Sequence, residues 1–353
     1  MLQVMDDDRT PLHWVAKNAH RSLGPTACCA GGEEPIQIAL INNMPDAALE
    51  DTESQFFELL ETAAGQLPVR VRLYSLPRIP RSDRGKEHLK SFFWDLDDLW
   101  DRRFDGAIIT GTEPRHSDLR EEPYWSSMVD VFAWAEEHTA STILSCLAAH
   151  AGVLQGDGIG RHPLPDKQFG VFDEAKISDH ELTSGTSEPL RFPHSRWNEV
   201  RQDALNSCGY SVLTKSREAG VNLFVKQRKK SLFVYFQGHP EYGAETLAKE
   251  YRRDIKRFLR EERTTYPTMP HGYFDAAAVQ TLTQFRKRVL SERHEELITE
   301  FPEAVMSNGS QSPWHSAARR IYHNWLRYVV SKRTSKARYA AVAQTGTWVT
   351  SSR

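Results

Sequence analysis

A cysteine, a histidine and a glutamate carry the chemistry this sequence offers. Cys146 lies in TILSCLAAHAGVLQ (142–155), where an apolar run meets a helix-forming one. The pattern predicts a strand, a sharp turn at Cys146, then a helix. The free N–H groups of a helix's first turn point toward such a cysteine, and their partial positive charge favours thiolate over thiol. About ninety residues later, the apolar run SLFVYFQ (231–237) leads into Gly238-His239-Pro240-Glu241. Pro240 cannot extend a ladder, so His239 falls at the strand's end. The carboxyl edge of an open α/β sheet is also where ligands collect. Glu241, two residues on, suits the third member of a triad, holding the imidazole in one tautomer. Nucleophile, base and carboxylate at two strand ends imply acyl transfer through a thioester on Cys146. The plainer alternatives are a buried structural cysteine and a turn histidine capping the next helix. His150 is a rival base, four residues past Cys146, but that spacing sets it behind the sulfur rather than beside it.

Other residues belong to the same rim. Thr110-Gly111-Thr112-Glu113-Pro114 closes the buried run FDGAIITGTEP (104–114). Gly111 lets a backbone N–H approach a reacting carbonyl, and with the N–H that follows Cys146, at Leu147, it would form an oxyanion hole. An ordinary tight turn is the simpler account of that glycine. Asn42-Asn43-Met44-Pro45 closes the first strand at the same edge. Lys167, Ser195 and Arg253 are candidate substrate contacts, since an amino-acid carboxylate is bound bidentately by a guanidinium. Arg253 lies off the apolar stripe of its helix, soon after Glu241. From the residues alone, a solvated surface is the better reading of each of the three.

The elements that must position these residues alternate. PIQIALINNMP (35–45) reads as a strand, EDTESQFFELLETAAG (50–65) as a helix, and VRVRLYSL (69–76) as a strand. SFFWDLDDLWDRR (91–103) has a helical pattern, and SSMVDVFAWAEEH (126–138) is an amphipathic helix leading into the Cys146 strand. This alternation predicts an α/β three-layer sandwich with a mainly parallel sheet covered on both faces. Residues 156–230 hold shorter strand-like pieces, FGVFD and VNLFVKQ among them. AETLAKEYRRDIKRFLR (244–260) puts Leu247, Tyr251, Ile255 and Phe258 on one helical stripe, and 276–300 and 314–330 also read as helical. The expected divisions are an arm over 1–34, one domain over 35–330, and a basic tail over 331–353.

A formal net charge of −2 gives no reason to expect nucleic acid or a membrane as partner. No run reaches the roughly 18 apolar residues of a membrane helix, and the acidic start MLQVMDDDRT is unlike a secretory signal. Cys28, Cys29, Cys146 and Cys208 show no metal-ligand spacing, and adjacent Cys28 and Cys29 do not suggest a disulfide framework. The expectation is a cytoplasmic protein without metal.

Taken together and in order, several segments resemble the homoserine O-succinyltransferase family. They are INNMPDAALEDTESQF, FDGAIITGTEPRHSDLREEPYW, TILSCLAAHAGVL, DKQFGVF, FPHSRW, GHPEYGAETLAKEYRRD and IYHNWLRYVV, spanning about 35–330. The resemblance implies a fold like the class I glutamine amidotransferases (flavodoxin-like). It also implies acyl transfer from a coenzyme A thioester to the L-homoserine hydroxyl in methionine biosynthesis, with no tightly bound cofactor, by a homodimer. It puts the acyl-thioester cysteine on Cys146, the base on His239, the third catalytic residue on Glu241, and substrate binding on Lys167, Ser195 and Arg253. Two positions depart from the family. A lysine pair usual after the first loop's Met-Pro is replaced by Asp46 and Ala47. The position that separates succinyl from acetyl users, commonly Gly or Glu, is Arg115. A cation there suits the free carboxylate of a succinyl group, or else a coenzyme phosphate, which leans toward succinyl-CoA over acetyl-CoA. The alternatives are O-acetyl transfer to homoserine or serine, a glutamine amidotransferase-like hydrolase, and a catalytically dead binding module. The hydrolases carry glycines two residues either side of the cysteine, where this chain has Leu144 and Ala148.

Overall fold

The computed structural model describes residues 2–4, 34–310 and 312–345. Cys28, Cys29 and most of the expected arm lie outside the described residues. An eight-stranded sheet runs β1 (Leu2–Val4), β3 (Val69–Tyr74), β2 (Ile36–Ile41), β4 (Gly106–Ile109), β5 (Ser141–Ser145), β12 (Ser231–Phe236), β11 (Leu223–Arg228), β8 (Ser211–Val212). The first six pair in parallel, and β11 and β8 add antiparallel. The mainly parallel α/β architecture expected from the alternation is therefore present.

Strand alternation deals side chains to two cores. Ile36, Ile38 and Leu40 of β2, Val71 and Leu73 of β3, and Val234 and Phe236 of β12 join one cluster. Ala39, Ile41, Ile109, Leu144, Phe233 and Tyr235 join the other. The first face is covered by the helices Asp46–Ala64, Thr246–Leu259, Ala276–Ser291 and His315–Thr345. The second is covered by Trp125–His138 and Leu147–Asp157. This makes the third layer.

A second, antiparallel sheet has the order β10 (Gly220–Val221), β9 (Thr214–Ser216), β6 (His162–Lys176), β7 (Leu190–Glu199). FGVFD belongs to the long β6, and VNLFVKQ is split between β10 and β11. The β6–β7 register slips between Pro163 and Gln168, which takes Lys167 out of the regular ladder.

Four boundaries differ from expectation, one of them in the run 276–300, where the α-helix ends at Ser291 and a 3-10 helix follows at Glu295–Glu300. The first helix starts at Asp46 rather than near residue 50. The run 91–103 is not one helix: Asp83–Phe92 ends where Trp94 N–H turns to Leu73 O at 2.9 Å, and a short helix follows at Leu96–Trp100. The helix His315–Thr345 carries the chain through residue 330, where a tail was expected to begin. That helix is core: Trp325 is fully buried, donates its indole N–H to Ser141 Oγ at 2.9 Å, and packs where a Cβ on Gly106 would intrude. Trp325→Ala is expected to lower stability by about 3–5 kcal/mol, read from the urea midpoint. A loss under about 1 kcal/mol would mean that the helix is an appendage.

Candidate active site

The loops that follow β2, β4, β5 and β12 share one sheet edge. Asn43 ties two of them together, donating its side-chain N–H to Thr110 O at 2.9 Å and accepting from Leu76 N–H at 3.0 Å. At β5 the buried strand stops abruptly. Cys146 adopts φ 50 and ψ −109, a left-handed-side conformation a non-glycine residue rarely takes, before the helix Leu147–Asp157 begins. Its N–H donates to Phe236 O at 2.8 Å, so the ladder between β5 and β12 continues through the turn itself. Gly111 lies directly over the start of this helix. A Cβ at that position would stand 3.0 Å from Leu147 N and closer still to Leu147 Cβ. Glycine is required there by the approach of two backbones, the pair expected to form the oxyanion hole.

The histidine expected to act as base sits one strand away. His239 is buried, and its Nδ1 donates to Glu241 Oε1 at 2.9 Å. Ser145 Oγ donates to the same carboxylate oxygen at 3.2 Å, which orients it. Burial alone would lower the imidazole pKa. The nearby Cys146 and Glu241, with the hydrogen bond to Glu241, hold it well above its ordinary value instead. Nδ1 is engaged by Glu241, so Nε2 is the nitrogen free to meet the sulfur. His150 is excluded as the base. Its Nε2 bonds Gln237 Oε1 at 2.9 Å, and burial, with Arg196 nearby, pushes its pKa down to about 3.

Lys167, Ser195 and Arg253 come together on a residue the sequence reading missed, Glu250. Ser195 Oγ donates to Glu250 Oε2 at 2.6 Å, Lys167 Nζ at 3.2 Å, and Arg253 Nη2 stands 3.6 Å away. Lys167 also bridges to Asp254 at 3.2 Å and lies 3.9 Å above the Phe169 ring. Tyr242 donates to the other Glu250 oxygen at 2.6 Å. Burial would raise the Glu250 pKa, but Lys167, Arg253 and the two hydroxyls bring it down to about 2. Glu250 precedes Arg253 by three residues, so the two share a helix face. That spacing was the available signal.

Arg115 is exposed, with its backbone N–H on Glu122. The same loop is gripped by Arg161, which donates to His116 O and Ser117 O at 2.9 Å, and by Arg257, paired with Glu113 at 3.2 Å. Asp46 has a structural task. It accepts Ser82 N–H at 2.7 Å, Ser82 Oγ at 2.6 Å and Arg81 Nη1 at 3.1 Å. Burial opposes its ionisation, and these partners still keep its pKa below the usual range. Ala47 beside it is exposed.

Behind His239 lies a buried polar chain. Arg196 Nε can only donate, so His194 Nδ1 accepts it at 3.3 Å and His194 Nε2–H donates to Glu174 Oε1 at 3.1 Å. Thr214 Oγ1 and Asn222 Nδ2 donate to Glu174 Oε2 at 2.7 and 3.1 Å. Burial pushes the Glu174 carboxyl up to about 8 against those bonds. Asn222 Oδ1 accepts Gly238 N–H at 2.7 Å and Pro193 O accepts His239 N–H at 2.8 Å, so the chain fixes the catalytic turn. Among the described residues, no group of three or more His, Cys, Asp or Glu could hold a metal ion.

Two outcomes follow. Gly111→Ala should lower kcat about 10²–10³-fold by displacing the Leu147 N–H, with the protein still folded by circular dichroism. Glu250 has a folded pKa of about 2 against an ordinary 4.5. Its depressed pKa gives stability that is fully present above pH 4.5 and lost as pH falls toward 2. The acid-side decline in Tm should therefore be shallower in Glu250→Gln than in the unsubstituted protein.

Residues 7–336 match the family model described as homoserine O-succinyltransferase. A homoserine O-succinyltransferase of Rhodopseudomonas palustris is 44% identical over 291 residues, 82% of this chain and 87% of that one. Those of Bradyrhizobium japonicum and Methylorubrum extorquens are 41% and 40% identical, covering 88% and 92% of this chain and 96% and 98% of their own. A solved glutamine amidotransferase from Methylobacillus flagellatus gives a TM-score of 0.44 at 13% identity over 83% of this chain and 94% of its own, too distant a likeness to carry an inference. With the family match spanning nearly the whole chain, this protein belongs to the homoserine O-succinyltransferase family and is an acyltransferase.

Proposed function

We propose that the protein moves a succinyl group from succinyl-CoA to the hydroxyl of L-homoserine through a thioester on Cys146, a step of methionine biosynthesis. The observation that carries the reading is His239, buried and hydrogen-bonded through Nδ1 to Glu241, just past the strand that pairs with the one ending at Cys146. Cys146 gives its proton to His239, and the thiolate attacks the thioester carbonyl. The N–H groups at Gly111 and Leu147 stabilise the oxyanion. The C–S bond to coenzyme A breaks, and its sulfur leaves with the His239 proton. Homoserine then binds, its carboxylate toward Arg253 and Lys167 and its ammonium toward Glu250. His239 takes the hydroxyl proton as the oxygen attacks the acyl carbon. The bond to Cys146 breaks, and the ester departs.

The relatives' names support succinyl as the donor group, and exposed Arg115, in the loop that follows Gly111, would supply a cation for its free carboxylate. Intact-mass and peptide mass spectrometry of the protein with succinyl-CoA or acetyl-CoA, without acceptor, tests this. One succinyl group on Cys146, absent from Cys146→Ser, is the expected result. An acetyl adduct alone would overturn the donor, and no adduct from either would overturn the thioester.

A further inference from the structure

Tyr242 touches both halves of the site and has no part in the steps above. Its ring stacks on His239 with centroids 4.1 Å apart and planes 18° from parallel. Its hydroxyl donates to Glu250 Oε1 at 2.6 Å, while Glu250 Oε2 takes Ser195 and Lys167. The main chain leaves the ring little freedom. Tyr242 N–H donates to His239 O at 3.2 Å, and Tyr242 O accepts the Trp314 indole N–H at 2.8 Å and bonds His315 Nε2 at 3.2 Å. Trp314 and Tyr242 are both buried. Burial and the Glu250 charge hold the phenol well above its ordinary pKa, so it stays a donor.

We propose that Tyr242 is a positioning residue with two separable tasks: its ring fixes the plane of the His239 imidazole, and its hydroxyl fixes the Glu250 carboxylate that receives the acceptor. The proposal rests on the acyl-transfer reading for the second task only. A ring 4.1 Å away across one whole face blocks rotation of the imidazole out of the Cys146–Glu241 line. The hydroxyl task is chemical. Glu250 Oε2 is met by two cations, Lys167 at 3.2 Å and Arg253 at 3.6 Å, and by Ser195, whereas Oε1 is met by Tyr242. Without the phenol, Oε1 loses its partner and the carboxylate turns toward the cations, away from an incoming ammonium.

Two variants separate the tasks. Tyr242→Phe keeps the ring and loses the hydroxyl. Formation of the Cys146 adduct from succinyl-CoA should stay within about twofold, while the homoserine KM rises about ten- to hundredfold, the worth of one hydrogen bond to a charged group. Tyr242→Leu loses the ring as well, and adduct formation should slow by about tenfold or more. Alkylation of Cys146 by iodoacetamide as a function of pH reads the ring without any acyl donor. Its midpoint should shift in Tyr242→Leu and stay in Tyr242→Phe, with both variants folded by circular dichroism. An unchanged homoserine KM in Tyr242→Phe overturns the hydroxyl task. A Tyr242→Leu alkylation profile that superposes on that of the unsubstituted protein overturns the ring task. If the unsubstituted protein forms no adduct, the acyl-transfer reading and the hydroxyl task with it fall, and the alkylation profiles still decide the ring.

Discussion

The site hangs on the pairing of β5 with β12. Ser145 lies opposite Phe236, and the next hydrogen bond of the same ladder is Cys146 N–H to Phe236 O. The nucleophile therefore leaves its strand at the level where the neighbouring strand turns toward the base. A slip of one residue would send every side chain of β12 to the opposite face, and the two cores forbid it, since Val234 and Phe236 fill one and Phe233 and Tyr235 the other. Hydrophobic packing on both faces of the sheet thus fixes a catalytic geometry that no local interaction at Cys146 could hold against its strained backbone.

Burial then sorts the ionisable groups by role. A carboxylate with enough donors stays charged inside the protein, as Glu250 does among Lys167, Ser195, Arg253 and Tyr242. An imidazole whose neighbours are an amide and a cation stays neutral, as His150 does beside Gln237 and Arg196. His239 lies beside Glu241 and Cys146, whose electrostatic pull favours its cationic form despite the same desolvation. Two buried histidines and a largely buried glutamate reach three different states because their partners differ. The catalytic assignment rests on that difference, not on burial.

Much of this was legible in the residues because it is local. The apolar runs ending at Ser145 and Phe236 announce strands, and Pro240 announces the end of one. Leu247, Tyr251, Ile255 and Phe258 announce the face by which their helix packs. What stayed hidden depends on partners far along the chain. The early helix start at Asp46 goes with its clamp by Arg81 and Ser82, and the break after Phe92 depends on Leu73 of β3. The convergence on Glu250 needs Lys167 and Ser195 to be carried over by the antiparallel sheet. No periodicity in one segment reports where another segment's side chains end. The weak pattern after residue 330 likewise gave no sign that the helix beginning at His315 continues.

The division of labour between the two sheets bears on how such a site can diverge. The thiol, its base and the flanking amides all grow from the large sheet, whose register is locked by cores on both sides. Lys167 and Ser195 stand instead on a hairpin of the small sheet, and Lys167 lies where the β6–β7 ladder is already irregular. Ser195 itself is flanked by buried His194 and Arg196, so the irregular stretch around Lys167 is the part of that hairpin least tied to the catalytic turn. A change around Lys167 could therefore alter what the site receives while leaving the Cys146 turn and its neighbours in place.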